Sequence, residues 1–135
     1  MIHIKTGSWW SPLPGDHQRI GISRGVPRGF PAGYRRYGKL NPGSWFKSCA
    51  TPAEFVRRYE DEILARLDPC VVARELQTIA GGRTPVLCCW EHAGGPSWCH
   101  RSLAARFLAE AVGPVPEVGF EHLDQSQHPM LPPKA

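Results

Sequence analysis

Residues 84–102, with the sequence TPVLCCWEHAGGPSWCHRS, decide the fold of this chain. The first seven residues are mostly apolar and predict a central strand, because strands covered on both faces are apolar throughout. The GGP sequence at 94–96 predicts a loop, and residues 98–102 predict the first turn of a helix. Open α/β proteins bind ligands where a strand ends and faces a helix N-terminus. The stretch therefore predicts an α/β fold and the place of a site.

Helix and strand signals flank this stretch. Thr51, Pro52 and Glu54 predict the start of one helix, and Asp68 with Pro69 predicts the start of another. We expect a single α/β domain over 1–123, with a small, mainly parallel sheet flanked by helices in a Rossmann-like three-layer arrangement. A flexible C-terminal tail is expected over 124–135. Apolar spacing predicts helices over 52–67, 69–80 and 101–111, and strands over 2–5, 19–23, 84–90 and 116–121.

Composition limits the class of protein. A chain of 135 residues is the size of one domain. It has no apolar run near the roughly 18 residues of a membrane span, and its first residues, MIHIK, lack the order of a signal peptide. We therefore expect a cytoplasmic protein with no membrane partner. The cysteine count is odd, five, and Cys88 adjoins Cys89, which argues against a disulfide framework. Cys49, Cys70 and Cys88 are expected to be free and buried.

The charge is unevenly distributed. Residues 1–50 contain eight Lys or Arg, one acid (Asp16) and seven aromatic side chains. Basic and aromatic residues together favour binding of nucleic acid or nucleotide, through phosphate contacts and base stacking. A solvated basic surface over an aromatic core is the alternative. Residues 25–50 show no periodicity, and their large aromatic side chains predict an ordered binding loop.

Three candidate catalytic residues lie in or next to the strand–loop–helix stretch. Cys99 precedes a helix, and the helix N-terminus with adjacent His100 and Arg101 favours a nucleophilic thiolate; an inward-packed, inert thiol is the alternative. Glu91 ends an apolar strand and is a candidate general acid or base, or a clamp for an arginine. His100 is a candidate proton donor, or a surface cap.

An anion site is predicted at the same place. The helix N-terminus and the guanidinium of Arg101 suit a phosphate, and Arg24, at the end of another strand, is expected to converge on it. The alternative is an Arg101 that pairs with Glu91 and staples the loop. The predicted anion-binding residues are Ser23, Arg24, Tyr34, Arg35, Arg101 and Ser102.

Metal binding is the competing interpretation. Cys89, His92, Cys99 and His100 carry ligand atoms, but zinc sites use two separated pairs with wider loops. Adjacent Cys99 and His100 are expected to point in different directions, and Cys89 to face away from the loop. No metal and no cofactor are therefore predicted.

An ordered set of short motifs carries a family resemblance. It runs from ISR at 22–24 through LNP at 40–42 and LDP at 67–69 to LCCWE at 87–91 and CHR at 99–101. The set, over about residues 19–121, resembles the uncharacterised YeaO-like family called domain of unknown function 488, which includes small bacterial and phage proteins. The resemblance implies a compact α/β domain with a site at the CHR motif, and no settled activity.

These observations give two hypotheses of different class. The first is a protein that binds or processes a phosphate-bearing ligand, nucleotide or nucleic acid, at the site described above. The second is a non-catalytic module that binds nucleic acid or another protein through the same groups. The sequence decides neither catalysis nor oligomeric state.

Overall fold

A four-stranded parallel sheet forms the centre of the domain. The computed structural model describes residues 2–134. The strands of the sheet are β1 (Lys5–Ser8), β2 (His17–Gly21), β3 (Arg35–Arg36) and β4 (Thr84–Cys89). They lie in the order β1-β4-β2-β3, and every neighbouring pair is parallel. This confirms the predicted α/β class with its small parallel sheet.

The three helices are α1 (Pro52–Glu62), α2 (Pro69–Ala80) and α3 (Arg101–Val112). Helices α2 and α3 pack against one face of the sheet, and α1 contributes to the same hydrophobic core. Their starts follow the sequence signals. The Thr51 hydroxyl accepts a hydrogen bond from the Glu54 N–H, and the Asp68 carboxylate accepts two from the first turn of α2. Such caps stabilise a helix by about 1 kcal/mol each, because they satisfy otherwise unpaired N–H groups.

Loop side chains cover the opposite face and supply the third layer. Val86 and Cys88 of β4 point into this layer, whereas Leu87 points towards the helices. Trp9 is fully buried there, with the rings of Phe30 and Tyr34 at 5.0 and 5.3 Å between centroids. The central strand is therefore covered on both sides, as its continuous apolar sequence predicts.

Three of the predicted strands differ from the structure. Strand β1 begins at Lys5, where the prediction ended, because pairing with β4 starts at Lys5 opposite Val86. The segment 116–121 does not form a strand; it contributes one parallel bridge, Thr6 with Glu117. Pro116 offers no N–H for a longer ladder. Strand β2 spans 17–21 in place of 19–23.

Part of the C-terminal segment 124–134, which was expected to form a tail, lies against the domain. Met130 is fully buried beside Cys89 and Cys99, and its carbonyl accepts a hydrogen bond of 3.0 Å from the Cys99 N–H. His128 is 5% exposed. The low apolar content of residues 124–135 did not indicate that a single side chain, Met130, packs on two cysteines.

The basic segment 25–50 is ordered through short 3-10 turns at Gly38–Leu40 and Ser44–Lys47. Of the three cysteines expected to be free and buried, Cys88 is buried, Cys49 is half-buried and Cys70 is exposed. No helix within residues 2–134 has the length and apolar character needed to cross a membrane.

Candidate functional site

A cleft of about 850 Å³ opens at the carboxyl ends of β2 and β4, beside the start of α3. This is the place that the strand–loop–helix stretch predicts. Four aromatic rings form much of the wall, with two cations and one carboxylate between them. They are Phe46, Phe55, Trp90, Trp98, Arg24, Lys47 and Glu91.

The cleft brings together five of the predicted site residues: Ser23, Arg24, Glu91, Cys99 and His100. Ser23 has a structural role within it. Its hydroxyl accepts a hydrogen bond from the Trp9 indole N–H at 2.9 Å and donates one to the Gly25 carbonyl at 2.6 Å. Arg24 is exposed, and Glu91 makes no ion pair within residues 2–134.

Arg101 lies behind the cleft and is fully buried. Its Nε and Nη2 atoms donate to the two carboxylate oxygens of Glu117 at 2.9 and 2.7 Å, and its Nη1 lies 3.1 Å from the Cys89 sulfur. The prediction that Arg101 binds an anion in the cleft is therefore wrong, and so is the alternative pairing with Glu91. The guanidinium points inward from the first turn of α3 and balances a buried carboxylate.

The Glu117 carboxylate extends this buried network towards the C-terminal segment. It accepts a 2.7 Å hydrogen bond from the Thr6 hydroxyl, which lies 2.7 Å from His128 Nε2. His128 Nδ1 accepts from the Met130 N–H at 3.1 Å. Burial, with the nearby Arg101 charge, lowers the pKa of His128 to about 4 against the opposing effect of Glu117. No local motif signals this network, because its members come from opposite ends of the chain.

The first turn of α3 has no backbone donors left for a ligand. The N–H groups of Ser102 and Leu103 bond to the carbonyls of Cys99 and His100. The Arg101 N–H lies 3.5 Å from the Cys99 sulfur. The Ser102 hydroxyl is buried and donates to the Cys99 carbonyl at 2.8 Å. The prediction of an anion site with Ser102 at this helix N-terminus is therefore wrong.

His100 is a buried neutral imidazole. It is 7% exposed, and its Nε2 lies 2.8 Å from the Ile22 carbonyl oxygen, to which it donates. Burial lowers the pKa of His100 to about 4, although the hydrogen bond to Ile22 opposes the shift. His100 is therefore neither a surface cap nor a proton donor near neutral pH. Its Nδ1 atom faces the Cys99 sulfur at 3.6 Å.

Cys89 and Cys99 form a disulfide pair, with Cα atoms 7.4 Å apart. The odd cysteine count did not predict this pairing, and a bonded Cys99 offers no thiolate nucleophile. The sulfur atoms of both residues and a ring nitrogen of His100 all lie within 4.8 Å of one another. The expectation that Cys89 and His100 point away from Cys99 is therefore wrong. His92 is not a member of this cluster and stacks on Trp10.

Two other predicted ligand residues lie outside the cleft. Tyr34 packs against Trp9 in the third layer, and Arg35 is exposed on the edge strand β3. The cleft contains Lys47 in their place. The basic and aromatic composition of residues 25–50 predicted a binding segment there but did not single out Lys47. Arg24 and Lys47 lie over the Phe46 ring, 5.9 and 5.4 Å from its centroid.

Comparisons with protein-family models, curated proteins and solved structures gave no match.

Proposed function

We propose that the cleft binds a small phosphate-bearing molecule with a flat apolar part, such as a nucleotide. The observation that carries this proposal is the pair of cations at the cleft wall. Arg24 and Lys47 lie over the same ring, Phe46. Neither has a carboxylate within 4.0 Å among residues 2–134. Two exposed cations beside one ring, without a carboxylate partner, suit a phosphate group.

The size and lining of the cleft support a small ligand. Its volume of about 850 Å³ falls in the usual range for small-molecule sites, about 300–1,000 Å³. The rings of Trp90 and Trp98 offer apolar surface for a base or a similar planar group. Any processing of the ligand is assigned to Glu91, because a carboxylate on the wall can take or give a proton.

A small ligand is favoured over a polymer by the position of the other predicted binding groups. Tyr34 is engaged in the third layer, so its ring does not serve as a stacking surface for bases. Arg28, Arg35 and Arg36 are exposed but do not line the cleft. Nucleic acid binding through these arginines remains the alternative proposal.

The test is calorimetric titration with adenosine monophosphate, adenosine and a single-stranded oligonucleotide. Arg24→Gln and Lys47→Gln should each weaken binding of the monophosphate about tenfold or more, because each removes a charge-assisted contact. Adenosine should bind weakly to all variants. Arg83→Gln is the matched control, since Arg83 is exposed at the opposite end of β4.

The result that contradicts the proposal is a monophosphate affinity unchanged by both cleft substitutions, or no binding at all. Stronger oligonucleotide binding has a different signature. In the double variant Arg35→Ala/Arg36→Ala, the plot of log affinity against log salt concentration should become less steep, by an amount equivalent to about two phosphate contacts. That outcome would assign binding to the exposed arginines Arg28, Arg35 and Arg36 and not to the cleft.

A further inference from the structure

We propose that Cys89, Cys99 and His100 bind one divalent metal ion of the zinc type at the floor of the cleft when the Cys89–Cys99 disulfide has been reduced by an external dithiol. The dithiol supplies the two electrons and becomes a disulfide itself, and the two cysteine thiols release their protons to solvent as they bind the metal. The fourth coordination position faces the cavity. This inference does not depend on the phosphate-binding proposal, since it rests on different atoms and is tested by a different signal.

The distance between ligand atoms supports the site. A zinc ion holds sulfur at about 2.3 Å and imidazole nitrogen at about 2.1 Å, so at a tetrahedral angle the two atoms lie roughly 3.6 Å apart. Cys99 Sγ and His100 Nδ1 are separated by 3.6 Å. With Cys89 Sγ, the three ligand atoms lie within 4.8 Å of one another. The cluster is therefore compact enough for one ion.

The backbone spacing of the two cysteines also suits a shared ion once their disulfide is reduced. Disulfide-bonded cysteines usually have Cα atoms about 4.4–6.8 Å apart, whereas those of Cys89 and Cys99 are 7.4 Å apart. Two sulfur ligands of one zinc ion lie about 3.8 Å apart. After reduction, rotation of the two cysteine side chains can separate the sulfur atoms to this distance while the backbones of β4 and of the segment before α3 keep their positions.

The surroundings place each ligand in the state that a metal needs. His100 donates its Nε2–H to the Ile22 carbonyl, so the lone pair of Nδ1 is free and directed at the cluster. The Arg101 guanidinium lies 3.1 Å from the Cys89 sulfur, and its backbone N–H lies 3.5 Å from the Cys99 sulfur. A cation and an N–H donor beside the two sulfur atoms balance the negative charge that two thiolate ligands bring to a buried metal site.

The coordination number indicates an open site. No fourth Cys, His, Asp or Glu joins the cluster among residues 2–134. All three ligands line the cleft wall. Structural zinc sites have four protein ligands, whereas sites with three protein ligands leave a position for water or substrate. Two thiolates and an imidazole select zinc or cobalt over magnesium or calcium.

The test is a cobalt titration of the full chain after treatment with a reductant and a chelator. We expect one Co²⁺ per chain, with a thiolate-to-cobalt charge-transfer band and the intense visible bands of tetrahedral cobalt, both lost on adding Zn²⁺. Cys89→Ser, Cys99→Ser and His100→Gln should weaken cobalt binding by more than about 100-fold. Cys88→Ser is the matched control, because Cys88 neighbours Cys89 and points to the other face of the sheet.

A second measurement on the unaltered chain guards against variants that fail to fold. Zinc should slow alkylation of Cys89 and Cys99, mapped by peptide mass spectrometry, and leave exposed Cys70 unaffected. The proposal is overturned if the reduced chain gives no charge-transfer band, or if Cys99→Ser binds cobalt as tightly as Cys88→Ser. Equal alkylation of all these cysteines with and without zinc would also overturn it.

Discussion

At the scale of single residues, Arg101 connects the core to the site. It holds Glu117 with two hydrogen bonds and the Cys89 sulfur with a third. Both members of the ion pair are essentially inaccessible to solvent, at 0% and 1% exposure of their side chains. A buried pair of this kind adds little net stability, but losing one member leaves an uncompensated charge. Arg101 is therefore a positioning residue for Cys89 and α3.

Glu117→Gln should lower the free energy of unfolding by about 3–5 kcal/mol, because it leaves the Arg101 charge buried and unpaired. Glu121→Gln should cost about 1 kcal/mol or less, since Glu121 pairs with Lys5 at the surface. Urea unfolding of both variants measures the difference. The double variant Arg101→Met/Glu117→Leu should be more stable than Glu117→Gln. Equal effects of the two glutamate substitutions would contradict the role assigned to this pair.

At the scale of elements, short sequence signals correctly predicted those helix starts and the strand that depend on neighbouring residues alone. The caps at Thr51 and Asp68 fix the starts of α1 and α2, and the apolar run fixes β4. The cleft is also predictable, because strand ends and a helix start meet there. The sequence did not predict the partners of Arg101 or the packing of Met130, because Glu117 and the C-terminal segment are distant in sequence from the residues that they contact. Contacts between distant segments leave no periodic pattern to detect.

Gly21 in β2 shows how tightly the sheet packs against the loop layer. A Cβ atom at this position would overlap the indole ring of Trp9, which is fully buried. Gly21→Ala should therefore destabilise the fold by about 1–3 kcal/mol, as overpacked cores do. Gly15→Ala is the control, since its Cβ would meet no atom within 4 Å. Thermal unfolding distinguishes them; an unchanged midpoint for Gly21→Ala would contradict the close packing.

At the scale of the whole molecule, two buried histidines make stability depend on pH. The pKa values of His100 and His128 are both lowered to about 4 by burial. In the unfolded chain a histidine titrates near 6.5, so the unfolded state binds more protons between these values. The free energy of unfolding is therefore highest above a pH of about 6.5, as far as these two histidines are concerned, and it falls as the pH decreases towards 4.

His128→Gln should flatten this decline, because it removes one of the two groups. The charged groups facing His128 are Glu117 and Arg101, and its own contribution is of order 2–3 kcal/mol across the window. Urea unfolding at several pH values between 7 and 4.5 gives the slope. Exposed His122 provides the control, and His122→Gln should leave the slope unchanged. A slope identical in His128→Gln and the parent chain would exclude this origin.

The two edges of the sheet have a consequence for aggregation. Strand β3 is two residues long, and both residues are exposed arginines. On the far side, Thr6 of β1 already bonds to the backbone of residues 116–118. Exposed strand edges with unpaired N–H and C=O groups are templates for amyloid-like growth, and short or charged edges prevent it. Approach of a second copy at β3 would set arginine against arginine, so this parallel sheet is protected from growing into a fibril.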